Sequence, residues 1–373
     1  MTPTIETIDL FQLASGDRLA IQVYQFRGQK PGKKVYIQAN LHGCEIVGNA
    51  VVHQLIEYLN DVPEEAIAGE IWIVPTCNPL ATNQRGHFYA TGGFHAYSGE
   101  DWNRIFWEYE PTPTELNRFV EKHFESDESA IAKAYREQIM AAFQQELAKQ
   151  DRPCGVSVPE LFRSKLQSLC LDADYLIDIH SSSNDGLDFT YYFPNRETEA
   201  GWFRFDYAIL LEQGGDYAFD EAFIWQWIEL EKAFAKAGRD IHLPIDGFTL
   251  ELGSGMKMRP ESVAKGLAGI KNYLAHRGII TTETPQPSTT KFLSSKHITR
   301  YRAPVGGMIG DRLSLGSPVK AGEKLYEILS FNREGKMPEI FEVNSMIDGI
   351  VWDLAISESA NQGEYVMSVL ATD

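Results

Sequence analysis

A histidine and a glutamate three residues apart, His42 and Glu45, follow the apolar run Val35-Tyr-Ile-Gln-Ala39. The run reads as a buried β-strand that breaks at Asn40, with Gly43 letting the backbone turn. Val47, Val51, Leu55 and Leu59 then recur every four residues, which predicts an amphipathic helix. Strand, tight turn and helix carry polar side chains to the carboxyl edge of an α/β sheet, where ligands collect. A His and a Glu fixed there are two of the three protein ligands that a catalytic zinc takes. His-x-x-Glu alone recurs by chance in many chains, so its meaning depends on its partners.

His180 ends a second apolar strand, Ala173-Asp-Tyr-Leu-Ile-Asp-Ile-His180, and so lies at the same sheet edge. The set His42, Glu45, His180 leaves a fourth zinc position free for water, as hydrolysis requires. Asp178 shares a pleat face with His180, where it either orients the imidazole or simply caps the strand. Glu251 stands inside the apolar strand Phe248-Thr-Leu-Glu-Leu-Gly253. A carboxylate there is costly unless it is paired or near a metal. Beside a zinc-bound water it becomes a general base; the bland alternative is a pair with Lys257. The stretch Asn78-Pro-Leu-Ala-Thr-Asn-Gln-Arg85 delivers Arg85 toward the metal edge, and Asp101-Trp-Asn-Arg104 sets Asn103 beside Arg104. An amide next to a guanidinium can hold a carboxylate with directed hydrogen bonds, and a second arginine can stabilise an oxyanion.

The elements that must position these groups follow in order. Residues 5–27 read as a β-hairpin and Glu70–Pro75 as a short buried strand. Residues 76–104, punctuated by glycines, form a long loop of the kind that is usually functional. Residues 112–170 look helical and read as an insertion, about 105–170, packed outside the sheet. Strands at 188–193 and 208–212, a Trp-rich helix near 217–237 and a helix near 260–276 complete a unit spanning 1–292. Thr281–Thr290 is a linker. Beyond it, short strands between glycines in 293–373 make a small all-β module.

Charged residues at 23% and hydrophobic residues at 43% describe an ordinary globular chain of 373 residues. The formal charge of −18 argues against nucleic acid and anionic membrane partners. Cys44, Cys77, Cys154 and Cys170 form no Cys-x-x-Cys pair, so neither a zinc cluster of thiolates nor a disulfide framework is indicated. No secretory signal and no membrane span are legible, and the expected location is cytoplasmic.

His42-Gly-Cys-Glu45-Ile-Val-Gly48, Asn78-Pro79 with Arg85, Asp101-Trp-Asn-Arg104, Asp178-Ile-His180 and Glu251-Leu-Gly253 occur in this order. Together they resemble the succinylglutamate desuccinylase/aspartoacylase family, relatives of the zinc carboxypeptidases, over roughly residues 33–275. The resemblance implies an α/β fold with a doubly wound mixed sheet of the zinc carboxypeptidase type, followed by a small all-β barrel-like domain near the pocket mouth. It implies one Zn2+ on His42, Glu45 and His180, with Glu251 as base. It also implies Arg85 at the oxyanion and Asn103 and Arg104 on a substrate carboxylate. Cys44 and Trp102 depart from the family pattern and put its named substrates in doubt. The expected activity is zinc-dependent deacylation of a small N-acyl amino acid or related N-acyl amine. A carboxypeptidase acting on peptides is the rival, and a non-catalytic binding protein a more distant one. A homo-oligomer is left open.

Overall fold

The computed structural model describes residues 1–372; the last residue of the expected C-terminal module lies outside them. Parallel strands Ala68–Val74, Lys30–Ala39, Tyr175–Ser182 and Asp246–Ser254 pair side by side in that order. Tyr175–Ser182 and Asp246–Ser254 are buried almost without a break, as expected of strands covered on both faces. From Lys30–Ala39 the chain crosses through the helix Val47–Asp61 to Ala68–Val74 on one side. From Tyr175–Ser182 it continues to Asp246–Ser254 on the other. The winding therefore reverses between Lys30–Ala39 and Tyr175–Ser182, which makes their carboxyl ends a topological switch point. The hairpin Thr4–Gln12 and Arg18–Arg27 adds the antiparallel outer strands.

One face of the sheet is covered by Val47–Asp61 and Pro260–His276, which pack Val51, Leu55, Ile270 and Leu274 onto Ile37, Ile177 and Leu250. The other face carries the helix Phe219–Lys236 and the helices Pro113–His123, Glu128–Leu147 and Val158–Cys170. Sequence patterning alone puts the last three outside the sheet. They form a layer on this face and bury Phe119, Ile131, Tyr135, Ile139, Phe143, Phe162 and Leu166 in its core. Their starts are fixed locally: Thr112 with Glu115 and Ser157 with Glu160 form capping boxes, and Asp127 caps the helix between them.

Past the centre, Asp246–Ser254 pairs antiparallel with Phe189–Tyr192, which passes the ladder to Tyr207–Leu210 and on to Lys291–Ser294. At its end it also meets Asp185–Gly186, which hands the sheet to Gly349–Leu354, Tyr365–Leu370 and Ile298–Arg302. A separate sheet holds Gly307–Gly310, Lys324–Ser330, Glu339–Asn344 and Ser359–Ala360. These C-terminal strands enclose their own core around Tyr301, Leu325, Ile328, Val351 and Met367. Residues 281–290 hold neither helix nor strand, yet they are pinned. Asn272 exchanges hydrogen bonds with the main chain of Gln286, and the Thr290 hydroxyl donates to Phe205 O at 2.7 Å. No described helix is long and apolar enough to cross a membrane.

Candidate metal and catalytic centre

The turn that presents His42 and Glu45 is built by Asn40. It is fully buried and sits at φ 68°, a left-handed conformation that asparagine tolerates better than most residues. Its side-chain amide donates to the carbonyls of His42 at 3.0 Å and Glu45 at 3.2 Å, folding the loop around itself. Gly43 serves closeness rather than a special φ: a Cβ there would fall 2.0 Å from Ala81 O.

His42 Nδ1 and His180 Nδ1 each lie 2.9 Å from a different oxygen of Glu45. The opposite ring nitrogens are held by carboxylates, His42 Nε2 by Asp101 at 3.1 Å and His180 Nε2 by Asp178 at 2.9 Å. An ionised carboxylate only accepts, so Nε2 is the protonated nitrogen in each ring. Each Nδ1 lone pair then faces a second acceptor, an arrangement that needs a cation between the two atoms, proton or metal. Without a metal, protons fill that need. Burial lowers the His42 pKa, but Glu45 and Asp101 outweigh it and raise it to about 9. Burial likewise opposes charge on His180, and Asp178 and Glu45 push it well up. Burial would raise the Glu45 carboxyl, yet the two imidazoles hold it far below the usual range. The ligand atoms of His42, Glu45 and His180 all lie within 4.8 Å of one another, the one such group among the described residues. Donor type, spacing and the two carboxylate-held rings fit a zinc site.

Glu251 is the register partner of His180 on the neighbouring parallel strand. Burial pushes its carboxyl up to about 7, against the opposing pull of His180. It also lines a cavity of about 340 Å³ whose far wall comes from the C-terminal strands, with Arg300, Arg302, Trp352 and Tyr365. Asp353 joins the two walls, accepting hydrogen bonds from Ser182 Oγ at 2.5 Å and Tyr365 OH at 2.6 Å.

The arginines lie further out. Arg85 is exposed in a small ladder with Ala90, and its guanidinium donates to Thr82 O and Gln84 O. Arg104 is exposed too, donating to Asn103 O at 2.6 Å, and it opens on a separate hollow of about 500 Å³ that Glu251 does not line. Asn103 Oδ1 accepts the N–H of Phe219, anchoring the head of that helix. Cys44 is buried, and Trp102 packs edge-on against Phe162 in the core. The sequence names Asp101 without a role, because its contact with His42 spans the long loop. Arg300 and Arg302 were legible by period: alternation in Ile298-Thr-Arg-Tyr-Arg302 buries Tyr301 and leaves both arginines on the opposite face.

Fold and donor set define an α/β protein with a metal-capable cluster at a switch point. The profile of the Succinylglutamate desuccinylase/Aspartoacylase catalytic domain matches residues 31–277, and the chain belongs to this family of deacylating hydrolases. Its structure superposes on a protein from Shewanella frigidimarina NCIMB 400 assigned to the succinylglutamate desuccinylase/aspartoacylase group, with a TM-score of 0.90, at 27% identity, covering 100% of this chain and 98% of that one. A family protein from Shewanella amazonensis SB2B gives a TM-score of 0.88 at 29% identity, with 98% of both chains covered. N-alpha-acetyl-L-2,4-diaminobutyric acid deacetylase of Halomonas elongata is 28% identical over 118 residues, which is 31% of this chain and only 34% of that enzyme.

Proposed function

We propose that this chain is a zinc-dependent amidohydrolase of the zinc carboxypeptidase type that removes the acyl group from a small N-acyl amino acid or related N-acyl amine. One observation carries the preference for a small substrate over a peptide. The cavity that Glu251 lines, beside but not including the three metal-capable residues, is bounded on one side by Arg300, Trp352 and Tyr365 and measures about 340 Å³, near the lower end of about 300–1,000 Å³ for ligand pockets. In this reading the strands after residue 292 form a barrel-like module that limits access.

His42, Glu45 and His180 would hold the zinc. When bound, it supplies a Lewis acid that polarises the amide carbonyl and acidifies water. Glu251 takes the proton from the attacking water on its carboxylate and returns it to the departing amine nitrogen. Its carboxyl, already raised to about 7, is poised for transfer in both directions. Asp101 and Asp178 would fix the ring tautomers with Nε2 protonated, which leaves both Nδ1 lone pairs on the side of the Glu45 carboxylate. Arg300 and Arg302 give the far wall positive charge, suited to an anionic group on the substrate. We assign Arg85 to the oxyanion and Asn103 with Arg104 to a substrate carboxylate. Each arginine must leave the main-chain carbonyl it now holds.

Zinc-loaded protein assayed against N-acetyl, N-succinyl and N-formyl amino acids, beside peptides with free C-termini, tests this reading. Hydrolysis of the N-acyl amino acids and not of the peptides is the expected result. Preferential cleavage of peptides would make the chain a carboxypeptidase instead.

A further inference from the structure

A larger cavity of about 550 Å³ lies between the helix Phe219–Lys236, the start of Pro113–His123 and the segment Glu108–Pro111. Neither Glu251 nor any of the three metal-capable residues lines it. Three side chains that do line it keep a buried polar atom with no partner among the described residues: the Tyr135 hydroxyl, Gln226 Oε1 and Glu108 Oε1. Tyr135 is 1% exposed and Gln226 6%, so both sit deep in the wall of the cavity. Buried polar groups are nearly always hydrogen-bonded, and each exception needs a reason. Gln226 spends its amide N–H on Phe223 O at 3.0 Å, which fixes Oε1 as the unused atom. An amide oxygen and a carboxylate oxygen can only accept. Two of the three unpartnered atoms therefore call for a donor, and the Tyr135 hydroxyl oxygen can accept from one as well.

Charge narrows the donor's identity. Four acids, Glu108, Glu110, Glu221 and Glu229, line the cavity beside two lysines, Lys232 and Lys236. Lys232 is already engaged, bound to Glu229 at 2.8 Å and lying over the Trp225 ring at 4.7 Å. Burial and then Glu110 push the Glu108 carboxyl up, while burial and then Asp220 bring Glu221 to about 7. Burial leads both shifts and a neighbouring acid adds to each, while Arg104 pulls Glu221 the other way. The carboxylates do not form a metal cage, since the one group of ligand atoms close enough to share a metal among the described residues is His42, Glu45 and His180. Tyr109, Pro111, Leu116 and Trp225 line the remaining wall with apolar surface.

We propose that this cavity binds a small organic ammonium ion, its N–H donors taken by Tyr135, Gln226 and Glu108 and its hydrocarbon body lying against Tyr109 and Trp225. The site is independent of the hydrolytic reading, because its lining shares no residue with the metal cluster or Glu251.

Calorimetric titration of full-length, zinc-loaded protein with phenethylammonium and with its neutral twin, phenethyl alcohol, tests the proposal. The ammonium is expected to bind at least about tenfold more tightly, and Glu108→Gln to weaken it by about tenfold, as loss of a charge-assisted hydrogen bond does. Tyr135→Phe should weaken the ammonium about threefold without lowering the melting temperature, because its hydroxyl has no partner in the chain to lose. Equal affinity for ammonium and alcohol, unchanged affinity in Glu108→Gln, or no binding of either probe would overturn the assignment. A lowered melting temperature in Tyr135→Phe would also do so, by showing the hydroxyl already engaged within the protein.

Discussion

The two ends of the central strands both bury acidic side chains, and they neutralise them in opposite ways. At the amino end, Asp246 at the head of its strand is held by Arg277, by Arg196 Nε at 3.5 Å and by the Tyr273 hydroxyl at 2.5 Å. Arg196 also grips Glu231 at 2.8 Å, and Asp174 is met by Lys33 and Arg136, each at 3.0 Å. Guanidinium and ammonium groups stay charged at any physiological pH, so this end is permanently compensated. At the carboxyl end, the ion pairs of Glu45, Asp101 and Asp178 among the described residues are with imidazoles, whose positive charge is a proton that can leave. A carboxylate balanced by fixed cations holds a fold together. One balanced by removable protons keeps a place for another cation, which marks the carboxyl end as the working one.

Variants that strike one end should leave the other untouched. The largest effect is expected from His180→Ala, which should abolish both zinc binding and hydrolysis; zinc at wild-type stoichiometry by metal analysis would move the site elsewhere. Glu251→Gln should keep zinc and fold but lower kcat by about 10²–10⁴, since an amide cannot take the water's proton. Near-normal turnover would remove Glu251 from that role. At the amino end, Arg196→Met leaves Glu231 and Asp246 buried with less compensation. It should destabilise the protein by about 3–5 kcal/mol in denaturant melts while zinc stoichiometry stays the same. A variant as stable as wild type would show the charge network to be dispensable. Asp178→Asn is the mildest, weakening zinc affinity by about 10–100-fold in chelator competition. No change there would reduce Asp178 to a passive neighbour of His180.

How much of this could be read without coordinates follows the range of each interaction. The strand, turn and helix around His42 and Glu45 are local, and apolar spacing exposed them. His180 was found because it ends an apolar strand and Glu251 because it interrupts one; the structure makes the two register partners. Asp101 reaches His42 across 59 residues through an irregular loop, and no periodicity encodes such a contact. The wall formed by Arg300 depends on Asp185–Gly186 passing the sheet from one part of the chain to another, a two-residue bridge too short to leave a pattern. The helices of residues 113–170 were recognised as an insertion packed outside the sheet, but how deeply they are buried was not. Their polar middle hid the apolar residues Ile131, Tyr135, Ile139 and Phe143, which recur at helical spacing and reach the core.

The ladder that runs from Tyr207–Leu210 into Lys291–Ser294 bears on how the chain unfolds. A bead tied on by a flexible string can melt while its neighbour stays intact. Here the last 80 or so residues, on the order of a small domain, begin as a strand of the larger sheet and rejoin it at Gly349–Leu354. Releasing them would strip Tyr207–Leu210 of a partner and leave a row of open N–H and C=O groups, the kind of edge that recruits other chains into aggregates. Heating should therefore give a single calorimetric transition for the whole polypeptide, with precipitation following close behind it. Two well-separated transitions would show that the sheet parts at this seam while the remainder stays folded.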